Sequence, residues 1–137
     1  MTTAGNQDSE GDLTREQIHE LDMSYNLSLT RPNAKANLSH SFNYVVPIYN
    51  KNSTSGENDT IMRFWFLDGG DTGCFSEEDD GYDCIRLDQL QWLQEESANI
   101  TQAKGKGMLF MHLPIWEIVQ LHNTLPIYGT NGETVGC

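Results

Sequence analysis

Ile61-Met62-Arg63-Phe64-Trp65-Phe66-Leu67-Asp68 is the stretch on which the fold turns. It is short, aromatic and apolar, and it closes on an acidic residue. Residues 50–59 before it carry no apolar side chain, so the run is bounded as a β-strand is. Downstream, past an acidic loop, Asp88 is placed to cap a helix whose Leu90, Trp92 and Leu93 form an apolar stripe ending before Asn99. Lys104-Gly105-Lys106-Gly107 then turns the chain into Met108-Leu109-Phe110-Met111-His112, a near-continuous apolar run of the kind seen in strands covered on both faces. Strand, helix and strand in that order predict an α/β layered architecture.

Working outward, Ser41-Phe42-Asn43-Tyr44-Val45-Val46-Pro47-Ile48-Tyr49 reads as a strand, with Pro47 demanding an edge or a bulge. Thr14-Arg15-Glu16-Gln17 is a capping-box pattern, and Ile18, Leu21 and Tyr25 continue one face of the helix it opens. Arg31-Pro32 disfavours helix beyond that. At the other end Pro114 is suited to open a helical stretch reaching about His122.

The 137 residues suffice for one modest domain. Apolar residues make up 37%, against roughly 45–50% in average globular domains when Gly is also counted, so the core is spread thinly. Eight Lys and Arg against 20 Asp and Glu give a net charge of -12, which argues against a nucleic-acid partner because phosphate backbones require clustered cations. The acidic run Glu77-Glu78-Asp79-Asp80 lacks the ligand spacing of an EF-hand and reads better as a solvated loop. No segment is long and apolar enough to span a bilayer, and the first residues do not resemble a signal peptide. Five Asn-x-Ser/Thr sequons, at Asn26, Asn37, Asn52, Asn58 and Asn99, nonetheless suggest a parent in the secretory pathway or outside the cell. Cys74, Cys84 and Cys137 cannot all pair internally. Cys74 and Cys84 flank the acidic loop and suit a disulfide or free thiols better than zinc, which would need a fourth ligand.

Three features could carry chemistry: Gly5-Asn6-Gln7-Asp8-Ser9-Glu10, the Asp68-Gly69-Gly70-Asp71 turn, and His112 at a strand end. Singly, each has an ordinary structural reading as a cap, a turn or a hydrogen-bonded histidine. Together and in order they resemble the purple-acid-phosphatase-related branch of the calcineurin-like metallophosphoesterases. There a Gly-Asn-His-Asp-x-Glu segment precedes a helix starting near an Arg, here Arg15. A strand like Phe64 to Asp71 and a helix like Asp83 to Leu93 follow, then a strand ending in His-x-Pro-x-x-Glu, matched by His112-Leu113-Pro114-Ile115-Trp116-Glu117.

The resemblance implies a two-sheet α/β sandwich with flanking helices, of which residues 1–137 would be an incomplete domain. It implies a pair of divalent metals (Fe, Mn or Zn) and a phosphoester substrate, with Asn6 and His112 as ligands of one ion. Chemistry of this kind uses two ions about 3.5–4 Å apart to hold an attacking hydroxide. The family's remaining ligands come from an Asp-x-His and a Gly-Asp segment upstream and a Gly-His-x-His segment downstream, so the expectation is an internal piece that does not hydrolyse on its own. Missing strands would leave exposed sheet edges, from which poor solubility is expected.

Gln7 stands where the family has a His that assists as acid or hydrogen-bond donor. An amide cannot deliver that proton, a loss of about 10²–10⁴-fold where general acid catalysis is essential. His19, His40 and His122 match no motif and are expected at the surface or in structural roles. The competing expectation is a non-catalytic homologue or fragment acting as a binding scaffold. A secreted calcium- or carbohydrate-binding module would rest on the sequons and Glu77 to Asp80 alone and leaves the four ordered segments unexplained.

Overall fold

The computed structural model describes residues 1–51, 60–74, 81–99 and 106–113. The acidic run at 77–80, Asn52, Asn58, His122, Cys137 and the helix expected from Pro114 lie outside them. Within them the order is a 3-10 turn Asp8–Glu10, helix α1 Arg15–Ser24, strands β1 Tyr44–Tyr49 and β2 Thr60–Phe66, helix α2 Leu87–Asn99, and strand β3 Lys106–Phe110. They build one mixed sheet in the order β1-β2-β3. β1 runs antiparallel to β2, with Val45 opposite Trp65, and β3 runs parallel to β2, with Leu109 opposite Trp65. Pro47 lies in β1, at the sheet's edge among the described strands, and the register slips by a residue between Ile48 and Tyr49.

The two-residue period of the strands sorts their side chains to two faces. Tyr44, Val46 and Phe66 gather on one face with Phe42 and Ala4, joined by Ile18 of α1. Trp65 and Leu67 gather on the other with Leu38 and Trp92, joined by Leu93. The two helices therefore cover opposite faces of the sheet. Aromatic stacking extends the first cluster: Tyr44 lies on Phe66 with ring centroids 4.6 Å apart, and Phe110 lies on the same Phe66 at 5.1 Å.

Three local expectations need correction. The α1 capping box at Thr14 and Gln17 forms as read, but Leu21 and Tyr25 are exposed and the buried face is Arg15, His19 and half-buried Ile18. His19 is drawn inward because its Nε2–H donates to the Arg31 carbonyl (2.7 Å) while its ring packs on Phe42. In α2, Leu90 is exposed, whereas Gln89 and Trp92 are buried beside Leu93. Asp88 lies inside the first turn, not at the cap, and its carboxylate accepts from the Ser39 amide (2.7 Å). The cap position falls to Arg86, whose amide donates to Gln89 Oε1. Finally, every residue of β3 is exposed, so its apolar run is not covered on both faces.

Candidate functional site

The end of β2 carries the turn from which the site is built. Asp68, two residues beyond the strand and fully buried, accepts from the amides of Ser41 (3.0 Å), Phe42 (3.1 Å) and Gly70 (3.0 Å). Its other buried partner is Arg15, the first residue of α1. A buried carboxylate is tolerated only when its lone pairs are met in this way.

Gly70 follows with φ 78, and a side chain there would collide with Asp83 and His40. The Asp-Gly-Gly-Asp segment therefore needs glycine for space as well as for its left-handed turn. Asp83 in turn receives Arg86 Nη2 (2.5 Å) and stands 3.6 Å from His40 Nε2. Cys74 and Cys84 are joined as a disulfide, with Arg86 Nη1 donating to the Cys74 carbonyl (2.8 Å). The pairing left open by the sequence is thus present as the closure of the loop between them.

The N-terminal segment approaches the same end of the sheet. Ala4 is anchored in the core, the Gly5 amide donates to Asp8 Oδ2 (2.7 Å), and the Gly5 carbonyl accepts from Arg15 Nη1 (2.6 Å). Ser9 Oγ hydrogen-bonds Asp71 Oδ2, fastening the 3-10 turn to the segment after Gly70. From the other side β3 is continued by a bond from the Leu67 amide to the Phe110 carbonyl (3.0 Å), which sets where the chain leaves the sheet.

Asn6 and His112, 106 positions apart, meet here: His112 Nε2 stands 3.1 Å from Asn6 Oδ1. The imidazole also lies against the backbone of Gly5, where a Cβ would come within 3.1 Å of two ring atoms. His112 is exposed and Asn6 half-buried, so the pair faces solvent. Gln7 is exposed at the start of the 3-10 turn, and its side chain makes no capping bond.

Among the described residues no three His, Cys, Asp or Glu side chains converge on a point where they could hold an ion. Of the sequons, Asn26 and Asn37 lie in exposed turns, and Asn99 ends α2. No helix among the described residues is long and apolar enough to cross a membrane.

The geometry can be set beside known proteins. The chain is similar to Probable inactive purple acid phosphatase 29 of Arabidopsis thaliana, 25% identical over 142 residues that cover 94% of this chain and 36% of that protein. It is similar to Phosphatase DCR2 of Saccharomyces cerevisiae, 28% identical over 87% of this chain and 21% of the relative. Probable inactive purple acid phosphatase 28 of Arabidopsis thaliana is 30% identical over 69% of this chain and 24% of its own length. These similarities link the chain to the phosphoesterases. It spans little more than a third of the length of the first of these relatives and about a quarter or less of the others. No family model matches the chain, and no solved structure matches it.

The Arg15–Asp68 pair was not singled out by sequence reasoning. Asp68-Gly69 reads locally as a turn, and Arg15 enters only as the residue near which a helix starts. The available signal was an acidic residue continuing the apolar run Phe64 to Leu67, where a charge left buried needs a cation.

Proposed function

We propose that this chain is a phosphoesterase-type scaffold in which Asn6 and His112 offer two donors to one divalent ion, and that it does not turn over phosphoesters by itself. The observation that carries the reading is the 3.1 Å approach of His112 Nε2 to Asn6 Oδ1 at the carboxyl ends of β2 and β3. Two cis ligands each about 2.1 Å from one ion stand roughly 3 Å apart, so this spacing suits an ion as well as a hydrogen bond. An amide oxygen and an imidazole nitrogen are donors that Mn, Fe or Zn accept.

A complete ion pair of this kind would polarise a phosphoryl oxygen and supply a hydroxide. What the chain itself contributes is narrower. Hydrogen-bonded to Asn6, His112 holds its proton on Nε2; to ligate, it must carry the proton on Nδ1 instead. Gln7 offers an amide that can orient a phosphoryl oxygen but cannot protonate a leaving group. With two donors among the described residues, affinity is low, because each missing anionic ligand removes part of what offsets dehydration of the ion.

In this reading the three-stranded sheet belongs to a two-sheet sandwich, residues 1–137 are a portion of one such domain, and the substrate class of the parent is phosphoesters. The Cys74–Cys84 disulfide supports an oxidising compartment. In that compartment Asn26 and Asn37 are glycan acceptors, and a change in mass on enzymatic deglycosylation of secreted material tests this.

The alternative is a binding scaffold that holds no ion, favoured by Gln7 and by the absence of a third clustered ligand among the described residues. Calorimetry with Mn²⁺ or Zn²⁺, alongside aryl-phosphate hydrolysis, separates the readings. Weak binding that is lost in His112→Ala, without turnover, is the expected result. No measurable binding selects the bare scaffold, and turnover abolished by His112→Ala overturns the claim of inactivity.

A further inference from the structure

The Arg15 guanidinium is turned to acceptors of the protein itself. The residue is 9% exposed, with Nη1 on the Gly5 carbonyl and Nη2 on Asp68 Oδ1. Asp68 cannot yield, because three backbone amides from two separate segments hold its carboxylate. The chain of contacts therefore runs from the end of β2 through Asp68 and Arg15 to Gly5, the residue before Asn6. The opposing side of the site is fixed independently through Leu67 and Phe110, which set where β3 releases His112.

We infer that Arg15 is a positioning residue: its fork sets the Gly5-Asn6 turn against His112 and is not used on a ligand. The inference deepens the reading of Asn6 and His112 as a metal-facing pair and rests on it for its consequence. Two features make the fork necessary. Gly5 and Asp68 present acceptors to two different nitrogens of one planar group, which a lysine, with its single nitrogen, cannot span. The imidazole also lies so near the Gly5 backbone that a small displacement of this turn moves Asn6 Oδ1 relative to Nε2. Groups that orient ligands without touching the metal typically account for 10–100-fold in affinity.

The test uses the whole chain with Mn²⁺ alone as probe, and Thr14→Ala as a control for general loosening of α1, since Thr14 caps the same helix from outside the Asp68–Gly5 chain. Two quantities are read by NMR: the cross-peak between the His112 ring and the Asn6 side-chain amide without metal, and broadening of the His112 ring by Mn²⁺. In Arg15→Lys the cross-peak should vanish and the Mn²⁺ needed for half-broadening should rise by about 10-fold. Thr14→Ala should retain both despite lower stability. Should the lysine variant not fold, Arg15→Gln/Asp68→Asn, which removes both charges of the buried pair, takes its place.

Equal loss of the cross-peak in Thr14→Ala, or its retention in the Arg15 variants, overturns the inference. Absence of Mn²⁺ broadening in the unaltered chain sinks the metal-facing reading, while the metal-free cross-peak still decides whether Arg15 positions Asn6.

Discussion

Gln89 of α2 reaches through the core to Asn43 before β1, its Nε2 lying 2.7 Å from Asn43 Oδ1 with both side chains fully buried. The same nitrogen donates to the Asp68 carbonyl (2.7 Å), and Gln89 Oε1 accepts from the Arg86 amide (2.7 Å). Asn43 Oδ1 also accepts from the Asp68 amide. One glutamine thus ties α2, β1 and the Asp68 turn together through polar groups that water does not reach.

Gln89→Met keeps the volume and removes the bonds. The Asp68 carbonyl and Arg86 amide would lose their partner, and each buried group left unmet costs about 1–3 kcal/mol. A loss of about 2–4 kcal/mol in urea unfolding is expected. A loss below about 1 kcal/mol would mean the network relaxes onto other donors.

The apolar side of the same helix separates two residues that look alike in sequence. Trp92 is 1% exposed and packs on Trp65 at 6.0 Å, whereas Leu90 is 49% exposed. Trp92→Ala should cost about 3–5 kcal/mol and Leu90→Ala no more than about 0.5 kcal/mol, as for a surface change. Comparable losses in the two variants would show that Leu90 is buried in solution.

That contrast marks how far the sequence could be read. The strands at Tyr44 and Phe64 to Phe66, and the Thr14–Gln17 cap, were legible because their signals are local: an apolar run, a fixed-spacing side-chain bond. The face of α2 was not, because Leu90, Leu93 and Trp92 fit one apolar stripe, while burial of Gln89 depends on Asn43, 46 positions away. The Arg15–Asp68 pair spans 53 positions and was hidden for the same reason. Asn6 and His112 were paired through the order of four segments, since neither residue type specifies the other.

The disulfide can be weighed separately. It closes a loop of sequence separation 10 and adjoins Arg86, which binds the Gly73 and Cys74 carbonyls. Loop-closure entropy alone gives about 2–3 kcal/mol for a loop of this length. Cys74→Ser/Cys84→Ser should unfold at correspondingly lower urea than the oxidised chain, with no change on adding reductant. Equal midpoints would mean that the Arg86 contacts hold the loop unaided.

Stability should also fall at both ends of the pH scale, for different reasons. Burial raises the Tyr44 phenol above its ordinary value of 10.0, outweighing its bonds to Thr30 and Thr2. The folded state therefore keeps the proton after the unfolded chain has lost it. The contribution is whole below pH 10.0 and is lost as pH climbs from there through the folded value. Asp88 behaves in the opposite sense. Burial would raise its carboxyl, but bonds from Ser39 and from backbone amides outweigh burial and leave it below 3.8. Its contribution is present above pH 3.8 and disappears as pH falls through that lower value. Urea midpoints followed across pH should show both limbs, with Tyr44→Phe flattening only the alkaline one and Asp88→Asn weakening only the acid one. At neutral pH Tyr44→Phe should cost about 1 kcal/mol for its lost hydrogen bonds. An alkaline limb unchanged in Tyr44→Phe would assign it to another group.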